Sequence, residues 1–131
     1  MIVDTSAVIA ILQQEPDAAA LEERLVEGPV ARIAATNWFE AAIVIDGRGD
    51  EAARARFEGF FRRFGIEIEA VTPELAAEAR RAYRDWGRGN HPARLNFGDC
   101  FAYALAKQRG EPLLFKGVDF ARTDIEPALK A

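Results

Sequence analysis

The chain has a single cysteine, Cys100, which excludes an internal disulfide. A disulfide-stapled secreted fold is therefore ruled out, and a reducing, cytoplasmic setting is expected. A single histidine, His91, leaves a His/Cys zinc site without ligands. A hard-cation site built from carboxylates stays open. Long apolar runs are missing as well. The first, Met1 to Leu12, is interrupted by Asp4 and has no basic flank, so neither a signal peptide nor a membrane span is expected. Positive charge is not in excess. The net charge of −4 would not draw the protein to nucleic acid as a whole, and any such contact must be local. There is no GxxxxGK[ST] loop and no Gly-x-Ser-x-Gly elbow.

What is present is an alternation of short apolar stretches and capped helical patterns over 131 residues, read as one domain, 1–131. Strands are expected at Met1–Val3, Val30–Ala34, Ile66–Val71 and Pro112–Lys116, with a last short one at Asp124-Ile125. The Ile66–Val71 segment alternates, which suits a sheet edge. Helices are expected from Ala7 to Gln13 after a Thr5 or Ser6 cap, and from Pro16-Asp17 to Gly28-Pro29. Others should run from Trp38 to Asp46 after a Thr36 or Asn37 cap, from an Asp50 cap to Phe64, from Thr72-Pro73 to Trp86, and from Asp99 to Gly110. Strands alternating with helices imply a parallel sheet of four or five strands with helices on both faces. Functional groups in such sheets gather at the carboxyl ends of the strands.

Four acids fall at that edge. Asp4 ends the first strand, Glu40 lies early in an apolar helix, Asp99 opens the helix before the Leu113 strand, and Asp119 follows that strand. Each has a plainer role open to it. Asp4 and Asp119 suit local caps, Glu40 suits an arginine pair, and Asp99 suits the first turn of a helix. Crowded together they would repel and resist ionising, unless cations bind among them. Magnesium and manganese, which take oxygen ligands, fit that set.

Taken together, Met1-Ile2-Val3-Asp4-Thr5-Ser6-Ala7, the Glu40 helix, Asn96-Phe97-Gly98-Asp99-Cys100 and Leu113-Leu114-Phe115-Lys116-Gly117-Val118-Asp119-Phe120 resemble a PIN domain. The similarity is to the VapC ribonuclease toxins of type II toxin–antitoxin pairs. It implies a three-layer α/β/α fold and RNA cleavage dependent on magnesium or manganese, giving a 5′ phosphate and a 3′ hydroxyl. It also implies a VapB-type antitoxin and a toxin homodimer. By motif match the family's four acids map to Asp4, Glu40, Asp99 and Asp119, as catalytic and metal-binding residues. Thr5, Ser6 and Asn96 are assigned supporting roles.

Outside these motifs, Arg80, Arg81, Arg84, Arg88 and Arg94 make one stretch basic in an acidic chain. Arg88 and Arg94, with Lys116, are the expected phosphate contacts, against the plainer reading of a solvated helix face. Phe57, Phe60, Phe61 and Phe64 share one helical face. That face is a core surface or, with Trp38, Phe39 and Ile43, a groove for a partner helix, and the partner role is expected here. Competing functions fit less well. A phospho-signalling receiver needs adjacent acids after its first strand, where Thr5-Ser6 stand, and a haloacid-dehalogenase-type phosphatase needs Asp-x-Asp, where position 6 is serine. A catalytically silent PIN-like binding module would have no use for four retained acids.

Overall fold

β1 (Ile2–Val3) is so short because Asp4, the next residue, already caps a helix. The computed structural model describes residues 1–130. Ala131, the end of the expected domain, lies outside the described residues. After β1 come α1 (Thr5–Leu12), α2 (Ala18–Glu27), β2 (Arg32–Ala34), α3 (Ala35–Asp46), α4 (Glu51–Arg63), β3 (Glu67–Glu69), α5 (Pro73–Trp86), α6 (Phe97–Arg109), β4 (Leu113–Leu114) and a 3-10 turn at Phe120–Arg122.

All strand pairs are parallel, in the order β3-β2-β1-β4. β2 and β4 therefore leave β1 on opposite sides, and the crevice at the carboxyl end of β1 is the switch point of the sheet. Asp4 stands there. β1, β2 and β4 are buried on both faces, while the edge strand β3 is largely exposed, as its alternating pattern suits. Val3, Ile33 and Leu114 pack into one core with α1 to α4, while Ile2, Ala34 and Leu113 pack into the other with α5 and α6. Near-continuous apolar strands are what two covering helix layers require.

Several expected ends move. The ladder is shorter than the apolar stretches, because pairing reaches only as far as its shortest partner, β1. The fifth strand expected at Asp124-Ile125 is a single parallel bridge, Leu113 to Pro127. α3 runs on directly from β2 with no side-chain cap, so Thr36 and Asn37 lie inside it. α6 begins at Phe97, so Gly98 is a helical residue rather than the last of a loop. The Asp50 and Thr72 caps form as expected, and Gly110 closes α6 at φ 64°, where glycine is favoured.

The phenylalanine face is corrected. Phe57, Phe60 and Phe61 are buried in the core, their rings edge-on at 5.1 and 5.3 Å. Trp38 packs on Phe57 at 5.8 Å, and half-buried Phe64 lies under the Arg63 guanidinium at 4.7 Å. The partner role assigned to Phe57, Phe60 and Phe61 does not survive this placement, while Trp38 and Phe64, also assigned to it, stay half-buried. The layer they fill also holds several small side chains, Ala7, Ala10, Ala41, Ala42 and Ala53, and the rings add volume beside them. Apolar exposure falls instead on Phe39 and Ile43, one turn apart on α3.

Candidate active site at the carboxyl edge of the sheet

Asp4 is 3 % exposed. Its Oδ2 accepts the Ser6 N–H at 2.9 Å, as a helix cap does, so the plainer role assigned to it is real. Thr5 and Ser6 do not cap; they tie the surroundings down. The Ser6 hydroxyl accepts the Lys116 N–H at 3.0 Å, anchoring the strand end that leads to Asp119. Thr5 donates its hydroxyl to the Asn37 carbonyl at 3.0 Å. The other Asp4 oxygen, Oδ1, is buried without a partner. Burial pushes the Asp4 carboxyl up to about 7, against the lowering effect of the Ser6 hydrogen bonds, and the nearby Asp99 and Glu40 push it further.

Asp99 and Asn96 form a reciprocal cap at the start of α6. The Asn96 side chain accepts the Asp99 N–H at 2.9 Å, and Asp99 Oδ2 accepts the Asn96 N–H at 3.0 Å. One Asp99 oxygen is thus left over. Desolvation raises its pKa and the Asn96 bond opposes this, while Asp119 and Glu40 add repulsion. Glu40 reaches the same place from α3. Its carboxylate lies over the Gly98 Cα, where an added Cβ would stand 2.5 Å from both oxygens. Asp119 is exposed at the start of the 3-10 turn and caps nothing with its side chain.

The fold therefore brings Asp4, Glu40 and Asp99 within one another's electrostatic reach, with Asp119 reaching the group through Asp99. Among the described residues, however, no three acidic, histidine or cysteine side chains close into a cage for an ion. The donor set is all oxygen, and the Asp4 Oδ1 is a buried oxygen without a hydrogen-bond partner, which fits a hard cation.

The positive residues divide. Arg88, Arg94, Asn96 and Asp119 line one small cleft, with both guanidinium groups exposed. Lys116 is corrected. Its ammonium is bonded to Glu15 and lies 3.6 Å from Asp17, so it is occupied within the chain rather than free for phosphate. Sequence reasoning missed Asn37. Fully buried, it donates to Gly98 O at 3.0 Å and to Thr5 Oγ1 at 3.3 Å, joining α1, α3 and α6 beneath the acids. The local signal is a polar amide beside Trp38 and Phe39 early in a mostly apolar helix.

The structure is a parallel α/β sheet with a buried, unpaired acid at its switch point and the acids Glu40 and Asp99 beside it. The PIN domain family model matches residues 1–126. Ribonuclease VapC28 of Mycobacterium tuberculosis is 48% identical over 130 residues, covering 98% of each chain. Among solved structures, Mycobacterium tuberculosis VapC20, described as a sarcin-ricin loop cleaving toxin, superposes with a TM-score of 0.75 at 17% identity, over 95% of each chain. A chain of a toxin–antitoxin complex from Klebsiella pneumoniae gives 0.68 at 19% identity, over 94% of this chain and 92% of that one. The chain belongs to the PIN domain family and, within it, to the VapC ribonucleases. No helix of the described residues is long and apolar enough to cross a membrane.

Proposed function

We propose that this chain is the toxin of a type II toxin–antitoxin pair, a cytoplasmic endoribonuclease that hydrolyses RNA phosphodiester bonds with magnesium, or manganese in its place. The observation that carries this reading is Asp4, buried with one oxygen unpartnered and ringed by acids. A carboxylate so placed costs stability, and a bound cation offsets the cost. Asp4 and Asp99 would hold the ion, with Glu40 and Asp119 completing its surroundings partly through water. When bound, the ion supplies a more acidic water and neutralises charge building on the phosphate. The chain's own residues do the rest. Ser6 and Asn96 fix the two principal carboxylates through their N–H groups, Asn37 fixes the backbone at Gly98, and Arg88 and Arg94 hold the phosphates of the strand. Attack by water on phosphorus, with the 3′ oxygen as leaving group, gives a 5′ phosphate and a 3′ hydroxyl and makes no use of the ribose 2′ oxygen as nucleophile.

The partner on this reading is a VapB-type antitoxin, and the toxin is a homodimer. The fold likeness to a chain of a toxin–antitoxin complex supports the first. The exposed Phe39 and Ile43 supply an apolar strip of the kind that marks protein interfaces.

The test is total RNA incubated with magnesium, with manganese and with EDTA, for wild type and Asp99→Asn. Cleavage should need the metal and fall by roughly a hundredfold or more in the variant. Cleavage that survives EDTA, or a fully active Asp99→Asn protein, overturns the reading.

A further inference from the structure

One aromatic ring at the acid edge has no structural employment. Phe97, the first residue of α6, is 76% exposed, more than any other large apolar side chain in the described residues. Burying a phenylalanine is worth about 1.5–3 kcal/mol, and this position forgoes nearly all of it. The ring is nevertheless not loose. It stands edge-on to half-buried Phe101, one helical turn on, with centroids 5.2 Å apart at 61°. Its backbone follows Asn96, whose side chain is locked in the reciprocal cap with Asp99. Asn96 also lines the cleft that holds Arg88, Arg94 and Asp119. A held, solvent-facing aromatic ring thus follows directly on Asn96, one wall of the cleft that carries two exposed arginines and the Asp119 carboxylate.

We infer that Phe97 is a stacking platform for one unpaired base of the RNA strand, next to the phosphate to be cut. The inference rests on the ribonuclease reading above. Single-stranded nucleic acid is recognised by this pairing of a cationic path for the backbone with an aromatic face for the base. The charge of the adjoining cleft, which begins at the preceding residue, Asn96, favours that occupant over a protein side chain. Arg88 and Arg94 take phosphates, and the ring takes the base those phosphates carry. The exposed aromatic of α3, Phe39, lacks such company and lies one turn from exposed Ile43, as a protein-facing strip would. Stacking on Phe97 also makes the platform selective for strands whose bases are free to splay out. Paired RNA keeps its bases inside the duplex and cannot use it. Phe97 is therefore a positioning residue, which sets which nucleotide lies over Asp99.

The experiment reads binding apart from cleavage. On an Asp4→Asn background, fluorescence anisotropy follows a labelled single-stranded RNA of mixed sequence, alongside Phe97→Ala, Phe97→Leu, Phe97→Tyr and Phe97→Trp. Alanine and leucine should each weaken binding by about tenfold, with tyrosine and tryptophan near wild type. A series of oligonucleotides with one abasic site should show one position at which loss of the base weakens binding to the Phe97 protein but not to Phe97→Ala. In the Asp4 protein, Phe97→Ala should raise KM for RNA more than it lowers kcat. Equal binding by all five proteins, or leucine as good as tryptophan, overturns the inference while the ribonuclease reading stands. A wild type that neither binds nor cuts RNA overturns both. If Phe97→Ala leaves RNA binding intact and changes the oligomer on size exclusion, the ring is a protein contact and the inference fails.

Discussion

Glu111, before β4, receives the Met1 amine at 2.7 Å, Arg109 at 2.9 Å and Arg32 at 3.4 Å. Arg32 also meets Glu67 and Glu69, both at 3.2 Å. At the opposite end of the same strands, Asp4, Glu40, Asp99 and Asp119 make no ion pair among the described residues: Lys116 is bound to Glu15, and Arg88 and Arg94 share a cleft with Asp119 without pairing to it. Both ends are rich in acids. One is neutralised by the chain's own cations and is partly exposed. The other combines burial with repulsion and leaves a lone-pair site open. A cluster of acids is therefore no sign of a site by itself. What separates the two is whether the fold spends its cations on them.

The sharpest way to break this contrast is Asp4→Asn. Cleavage should fall roughly a hundred- to thousandfold, read as product formed from total RNA with magnesium. The same variant should be the more stable protein without metal. The Asp4 carboxyl is pushed from its ordinary value of 3.8 to about 7, so between those values the unfolded chain gives up this proton while the folded chain keeps it. The folded state binds more protons, and wild-type stability falls as pH rises through that window. Asparagine carries no such proton. The stability difference should be near zero at pH 4 and grow towards about 4 kcal/mol at pH 8. Urea unfolding in EDTA at a series of pH values measures it, and a difference that does not change with pH contradicts the burial argument.

Gly98→Ala probes how the acids are held. The new Cβ would stand 2.5 Å from both Glu40 oxygens, so the carboxylate must move. Cleavage should drop about tenfold, since small displacements of a reacting group are costly. Stability should hold or rise, because alanine is the better helix former by about 1 kcal/mol. A loss of activity that tracks a loss of fold would reverse this reading.

The local chemistry of the site was legible in the sequence, and its three-dimensional wiring was not. Asp4 follows β1, so its place at the strand end needed only the alternation of elements. Asp50, Thr72 and Gly110 were legible because caps are nearest-neighbour chemistry. Asn37 was read as a cap because its true partners, Thr5 and Gly98, lie 32 and 61 residues away. Lys116 was assigned to phosphate because Glu15, 101 residues earlier, could not be seen beside it. The Phe57 face failed for a related reason. Period tells which residues share a helix face, while the neighbouring layer decides whether that face is core.

Glu111→Gln tests the neutralised end. The Met1 amine would keep its bond to Val30 O at 2.9 Å but lose its charge partner. Stability should fall by about 1 kcal/mol, as for a partly exposed pair, and RNA cleavage should be unchanged. Thermal unfolding and the RNA assay read the two. A tenfold loss of cleavage would mean that the two ends are coupled.

The smallest effect is expected from Arg88→Ala. Arg32 is consumed by Glu67, Glu69 and Glu111, whereas the Arg88 side chain is exposed in the cleft with Arg94, Asn96 and Asp119. Its backbone is fixed independently, by the N–H bond to Leu95 O at 2.9 Å, so truncation should not disturb the loop. A guanidinium that meets only phosphate neutralises about one charge and carries no base information. Its loss should weaken RNA binding several-fold on all sequences alike, and make the plot of log affinity against log salt shallower by about 1. A sequence-dependent loss would place Arg88 on a base instead. An unchanged salt slope would leave the acid edge without the cationic rim that a nucleic-acid substrate needs.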